Sequence, residues 1–454
     1  MNIRIRTSLL LVLLLAASSA HAQNWTPTFD KFTLGNGLDV ILHRDSTQPL
    51  VSVNVAYRAG SSVDPRGKTG LAHIAGEMLM MGTKRVPRTE LLALHKDHNA
   101  AIQAQTGVDW VNLATTVPMN LLETAIMIEA DRMLNAEHAV TKENFENITK
   151  RMRDLTEKRG KEVLGTLTQA IYNELYSEKH PYRHITTGVP EQLDGITLTD
   201  VRNHVRNYFV PTNASLCIGG NFDPAQARAL VEKYFGRIAP GKSGKWVNVS
   251  DAFTPLGQGA MVHEDLLSYN QLILVFPTVR SSNADEPALR LLASALAGSS
   301  NALMQRVLSR PNPAVRSVQA SQSSQELAGT FWITVTCRAE TRLQPIFDEV
   351  MGMLAAVARD GFPEEDLVPA RNAMTMNFLS PLESFHGFGG RCDLLNLGNL
   401  MSGTPLYSFT QLAAAQAKGT ADMRRVASRY LNPQNQLIIS VLPHGKTAQA
   451  VSVQ

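Results

Sequence analysis

The chain has 454 residues, 44% of them hydrophobic and 18% charged, with a formal net charge of +3. That length exceeds what one hydrophobic core usually supports, so two domains are expected. The basic residues are dispersed, without the stripe a phosphate backbone requires, which argues against a nucleic-acid partner.

Residues 1–22 carry Arg4 and Arg6, an apolar run over 9–17 and then Ala20-His21-Ala22. This is the pattern of a secretory signal peptide cut before Gln23, and it predicts export to a bacterial periplasm. No later stretch reaches 18 uninterrupted apolar residues, so no membrane span is expected. Strands are predicted over 40–42 and 51–59, the second with Val51, Val53, Val55 and Tyr57 on one face. The stretch 70–83, GLAHIAGEMLMMGT, then reads as an apolar helix with one histidine and one carboxylate. His73 and Glu77 are four apart and share a face. Taken alone, they fit either a hydrogen-bonded core pair or a metal-site helix.

Further helices are predicted over 87–97, 121–134, 143–158, 167–175, 199–208 and 224–235, with β alternation over 100–117 and a strand over 214–219. His95 and His98 have H-x-x-H spacing, but a solvated helix face explains them better. Residues 240–259 are rich in Gly and Pro and aperiodic, the composition of a linker. Beyond it the pattern restarts. Strands are predicted over 268–275, 315–324, 329–337 and 436–441, and helices over 286–296, 302–308, 343–359, 364–379 and 420–430. The fold class is therefore α+β: two successive α+β domains (23–239 and 260–454), each a mixed or antiparallel sheet packed with helices, in an element order suggesting duplication. Cys217, Cys337 and Cys392 are too few and scattered for a disulfide framework and read as core residues.

The stretch 70–83 resembles the signature helix of the insulinase/pitrilysin/processing-peptidase family, whose inverted zinc motif is H-x-x-E-H within G-x-A-H-x-x-E-H-M-x-x-x-G-T. Gly70, Ala72, His73, Met78, Gly82 and Thr83 match that frame. Gly76 stands where the frame has the glutamate base, and Glu77 where it has the second histidine. Tyr57-Arg58-Ala59-Gly60-Ser61, His180-Pro181-Tyr182, Glu232-Lys233-Tyr234-Phe235 and Gly387-Phe388-Gly389-Gly390 extend the resemblance over the mature chain. It implies paired α+β halves closing like a clam around a peptide.

Zinc peptidases need two imidazoles, a distant carboxylate and an open position for water, with a base worth about 10²–10⁴ in rate. Of these the chain keeps His73. The family's distant glutamate falls some 74 to 76 residues past the motif, on the helix over 143–158, where Asp154 is the acid at hand. His73, Glu77 and Asp154 are thus residual metal candidates, although no metal is expected. The family's substrate-gripping arginine and tyrosine align with Ser309 and Arg316. Arg310 lies one residue off register, and Pro311 and Pro313 distort the chain there. The resemblance also makes the strand Ile102, Gln103, Ala104, Gln105 and Thr106 the peptide-binding edge, with Arg310 and Arg316 as further candidates. Three functions stay open: the inactive, chamber-forming partner of a zinc-bearing subunit in a heterodimer, a metallopeptidase with an unorthodox site, or a non-enzymatic peptide-binding protein.

Overall fold

A computed structural model describes residues 26–242, 253, 256 and 258–452. The proposed signal peptide and most of the linker lie outside these. Strands and the helices of eight or more residues are numbered in chain order. The first half runs β1 (Asp30–Thr33), β2 (Asp39–Arg44), β3 (Leu50–Tyr57), α1 (Leu71–Met78), α2 (Arg88–His98), β4 (Ala101–Thr106) and β5 (Val111–Pro118). It continues through α3 (Leu122–Leu134), α4 (Lys142–Lys161), α5 (Leu167–Leu175), α6 (Leu198–Tyr208), β6 (Ala214–Gly220) and α7 (Pro224–Phe235). The second half runs β7 (Gln258–Asp265), β8 (Tyr269–Thr278), α8 (Glu286–Ala297), β9 (Val315–Ser324) and β10 (Gly329–Arg338). Then come α9 (Leu343–Asp360), α10 (Glu364–Leu379), α11 (Arg391–Ser402), α12 (Tyr407–Gln416), α13 (Thr420–Tyr430) and β11 (Gln436–Pro443).

Two sheets form, ordered β1-β2-β6-β3-β5-β4 and β7-β11-β8-β10-β9. In each, one parallel pair (β2 with β6, β7 with β11) is followed by antiparallel neighbours. Leaving out β1, the two orders superimpose strand for strand, so β4 and β9 are corresponding edges. This is the α+β class expected, and the two halves share one strand order.

The alternation in β3 decides which layer each residue meets. Val51, Val53, Val55 and Tyr57 pack with Ile74 and Met78 of α1 and with apolar residues of α3, α6 and α7. Ser52 and Asn54 point to the other face and are also buried, because a helix from the second half covers them. That helix is α11: Asn396 donates to the Asn54 carbonyl at 3.0 Å and to its Oδ1 at 2.5 Å. Asn399 donates to Ser215 at 2.9 Å and Asp39 at 3.0 Å, and Cys392 packs on Cys217 and Ile41. The exchange is mutual. Leu167, Ile171 and Leu175 of α5 pack under Ile273, Val275, Leu437, Ile439 and Val441 of the second sheet, each such side chain contributing about 1.5–3 kcal/mol when fully buried. Each half therefore completes the other's core. Asn396→Ala, which leaves Asn54 with unpaired polar atoms between α11 and the sheet, is expected to cost about 1–3 kcal/mol. Urea denaturation measures it, and the loss should appear in a single transition shared by both halves.

The structure departs from the sequence reading in places. The helix predicted over 302–308 is a short π-helical turn, Gln305–Ser309, flanked by a Gly-Ser-Ser-Asn run and by Pro311, which leave no length for a regular helix. The linker predicted over 240–259 runs into β7 at Gln258, recruited by its parallel pairing with β11. Strand β1 and helices α11 and α12 were not predicted. All three described cysteines are buried, as expected.

Candidate functional site

Helix α1 begins after Gly70, whose φ of +95° is readily adopted by glycine. Asp64 caps it, accepting the N–H groups of Gly70 at 2.8 Å and Ala72 at 2.7 Å. This fixes the face on which His73 and Glu77 project. Burial pushes the His73 imidazole below its usual range. Glu77 opposes that shift, and Arg151 and Arg159 reinforce it. His73 Nδ1 is buried and has no hydrogen-bond partner.

Helix α4 crosses α1, and the residue it presents to Glu77 is Arg151, in an ion pair. Arg151 is 74 residues past Glu77, within the interval where the family's distant glutamate falls. Asp154, one turn further on, is exposed and does not join His73 and Glu77. Among the described residues, no three of His, Cys, Asp and Glu come together in a group able to hold a metal. The set His73, Glu77 and Asp154 is thereby corrected: helical phase turns residue 151, not 154, toward α1. The residues present do not fit a zinc ion. One imidazole is on offer, the Glu77 carboxylate is taken by a guanidinium, and that guanidinium repels a dication from the place a ligand would occupy.

Gly76 faces the sheet. A Cβ there would lie 3.0 Å from Thr106 Oγ1 and 3.2 Å from Val111 Cγ1, so the helix rests almost directly on the edge strand. β4 pairs with β5 from Ala101 to Thr106, and no strand lies on its other side among the described residues. Ile102, Gln103, Ala104, Gln105 and Thr106 thus form an edge beside α1. The two arginines of the second half do not converge on it as a pair. Arg310 is turned to Ser300 O at 2.6 Å and Asn301 Oδ1 at 2.9 Å, held by its own loop. Arg316 lies exposed near the start of β9, the corresponding edge of the other sheet. His95 and His98 are exposed on α2, the solvated face expected of them. Sequence reasoning missed Arg151, although its distance from Glu77 was the available signal.

The charge arrangement makes a measurable expectation. Followed by NMR, the His73 ring should titrate below the ordinary histidine value of 6.5. Arg151→Gln should raise that pKa, because it removes a cation and leaves Glu77 without its guanidinium. An unchanged titration would show that the two helices do not meet as described.

Two α+β halves of the same strand order, an open edge strand and a histidine-bearing helix against it make up the arrangement that the resemblance implied. The chain belongs to the insulinase/pitrilysin family of peptidases: residues 39–183 match the family model "Insulinase (Peptidase family M16)" and residues 195–374 match "Peptidase M16 inactive domain". It is similar to the zinc protease PqqE of Helicobacter pylori, 22% identical over 96% of this chain and 97% of that one. A probable mitochondrial-processing peptidase subunit beta of Schizosaccharomyces pombe is 21% identical over 47% of this chain and 46% of its own length. The crystal structure of a protease from Helicobacter pylori has the same fold, with a TM-score of 0.80 and 18% identity over 92% of this chain and all of that one. No described helix is long and apolar enough to cross a membrane.

Proposed function

We propose that this chain is the catalytically silent, chamber-forming subunit of an exported two-chain zinc metallopeptidase. It holds a peptide along β4, while a companion of the same family carries the zinc and the base. The observation that carries the reading is the Glu77–Arg151 ion pair on a helix with Gly76 at the base position. Position 77 is taken up by its pair with Arg151, position 76 carries no side chain, and the edge strand beside them is left open. A strand edge recognises a peptide through main-chain hydrogen bonds and needs no metal. The pattern over 1–22 supports a periplasmic location. The reading of this chain as a metallopeptidase in its own right loses its support with Asp154 exposed on α4.

The test is a mixing assay. The purified mature chain alone should not cleave fluorogenic peptides, with or without added zinc. A companion bearing an intact H-x-x-E-H motif should be weakly active alone and at least tenfold more active once this chain is added. Peptide cleavage by the isolated chain, abolished by a chelator, would overturn the reading.

A further inference from the structure

Helix α11 of the second half lies on the first sheet in a fixed register. Residues 392, 396 and 399 share one face of the helix, and residues 215, 217 and 219 share the face of β6 turned toward it. Asn399 donates to Ser215 at 2.9 Å. Asn396 donates to Asn54, which pairs with Cys217 across β3 and β6. One helical turn further, the same face brings Cys392 to the level of Cys217 and Gly219. There the two cysteines share a small core cluster with Ile41, Leu395 and Phe409.

Helix and strand come close at that level. A Cβ on residue 219 would lie 3.2 Å from Cys392 Cβ and 3.3 Å from its Sγ, so the bare Gly219 backbone is what admits Cys392. A disulfide needs its Cβ atoms about 3.5–4.5 Å apart, and this approach is on that scale. Cys217 is the preceding residue on the same face of β6. The thiols also feel each other: burial, and then the neighbouring Cys217, push the Cys392 thiol well above its usual range. Cys217 is 0% and Cys392 1% exposed. Cys337, on β10, is the one cysteine of the other half's core cluster.

We propose that Cys217 and Cys392 are a disulfide site, which ties α11 to the first sheet when the chain folds in the presence of a disulfide oxidant. The inference rests on the export reading above for its oxidant, since exported chains fold where disulfides persist. The thiolate of one cysteine attacks a small disulfide such as oxidised glutathione, giving a mixed disulfide and one glutathione thiolate. The second cysteine, as thiolate, attacks the protein-bound sulfur of that mixed disulfide and releases the other glutathione thiolate. One protein S–S bond forms and the glutathione S–S bond is lost. Two electrons pass from the cysteines to glutathione, and the two cysteine protons end on the released glutathione thiols. Both sulfurs are closed to solvent in the folded chain and the Cys392 thiolate is disfavoured there, so the exchange takes place while α11 docks.

The test refolds the mature chain from urea, once with a glutathione redox mixture and once with dithiothreitol. Thiols are then counted in urea, and a digest run without reductant is read by mass spectrometry. Oxidative refolding should lower the thiol count from three to one and give a linked peptide joining Cys217 to Cys392, with Cys337 free. The cross-linked chain should unfold at higher urea than the reduced one, because the bond closes a long loop in the unfolded state. Cys217→Ala should abolish that difference and Cys337→Ala should keep it. Three thiols after oxidative refolding overturn the proposal, as does a linked peptide containing Cys337. Should Cys217→Ala fail to fold, the thiol count and linked peptide of the natural chain decide alone. The export reading is judged separately on the full chain recovered from bacteria. Linkage on refolding with three thiols in the recovered chain would overturn export and leave the disulfide site standing.

Discussion

Arg132→Met is expected to destabilise the folded chain by about 3–5 kcal/mol, a large share of the roughly 5–15 kcal/mol that holds a domain together. Arg132 and Glu129 are both wholly buried and paired within α3, and Glu129 also accepts from Thr115 Oγ1 at 2.5 Å. Burial pushes the Glu129 carboxyl up, and Arg132 pulls it back down. Removing the guanidinium leaves a carboxylate between α3 and the sheet that must either protonate or stay charged without a counter-ion, and both are costly. Urea denaturation monitored by circular dichroism reads the loss. The paired variant Glu129→Leu with Arg132→Met should recover much of it, because no isolated charge then remains. A single variant as stable as the natural chain would mean that the pair is not buried as described.

Glu77→His combined with Arg151→Glu is expected to give the chain a stoichiometric zinc ion. The two exchanged side chains already meet across the α1–α4 contact, and His73 lies one helical turn from position 77. The exchange would therefore gather two imidazoles and a carboxylate where an ion pair now stands, and it would replace a repelling cation with a ligand. Metal analysis after dialysis should find about one zinc per chain in the double variant and far less in the natural protein. Peptide cleavage should stay absent, because Gly76 still supplies no base. Adding Gly76→Glu brings a side chain against Thr106 Oγ1 and Val111, so that third change should lower the melting temperature. A double variant that binds no zinc would show that the helices do not present positions 77 and 151 to one site.

A residue was legible in the sequence when its signal was local. Alternation in Val51, Val53, Val55 and Tyr57 was readable because a strand's period is local. Helices 167–175 and 224–235 were found at their observed limits, Leu167–Leu175 and Pro224–Phe235. Helix α11 was passed over because its start follows Gly387-Phe388-Gly389-Gly390, which reads as loop, and because Asn396 and Asn399 look like surface residues. They are buried only because the first sheet presents Asn54, Ser215 and Asp39 to them.

The sequence by itself determined the fold class, the family and the presence of Gly76 and Glu77 on the signature helix, since each rests on residue identity at fixed local spacing. Only the tertiary structure decided that Arg151 rather than Asp154 meets Glu77, that α5 and α11 are exchanged between the halves, and that Arg310 turns to its own loop. Those facts depend on helical phase and on which distant surface covers which. The local chain carries no signal of either, because burial is set by the partner and not by the residue alone.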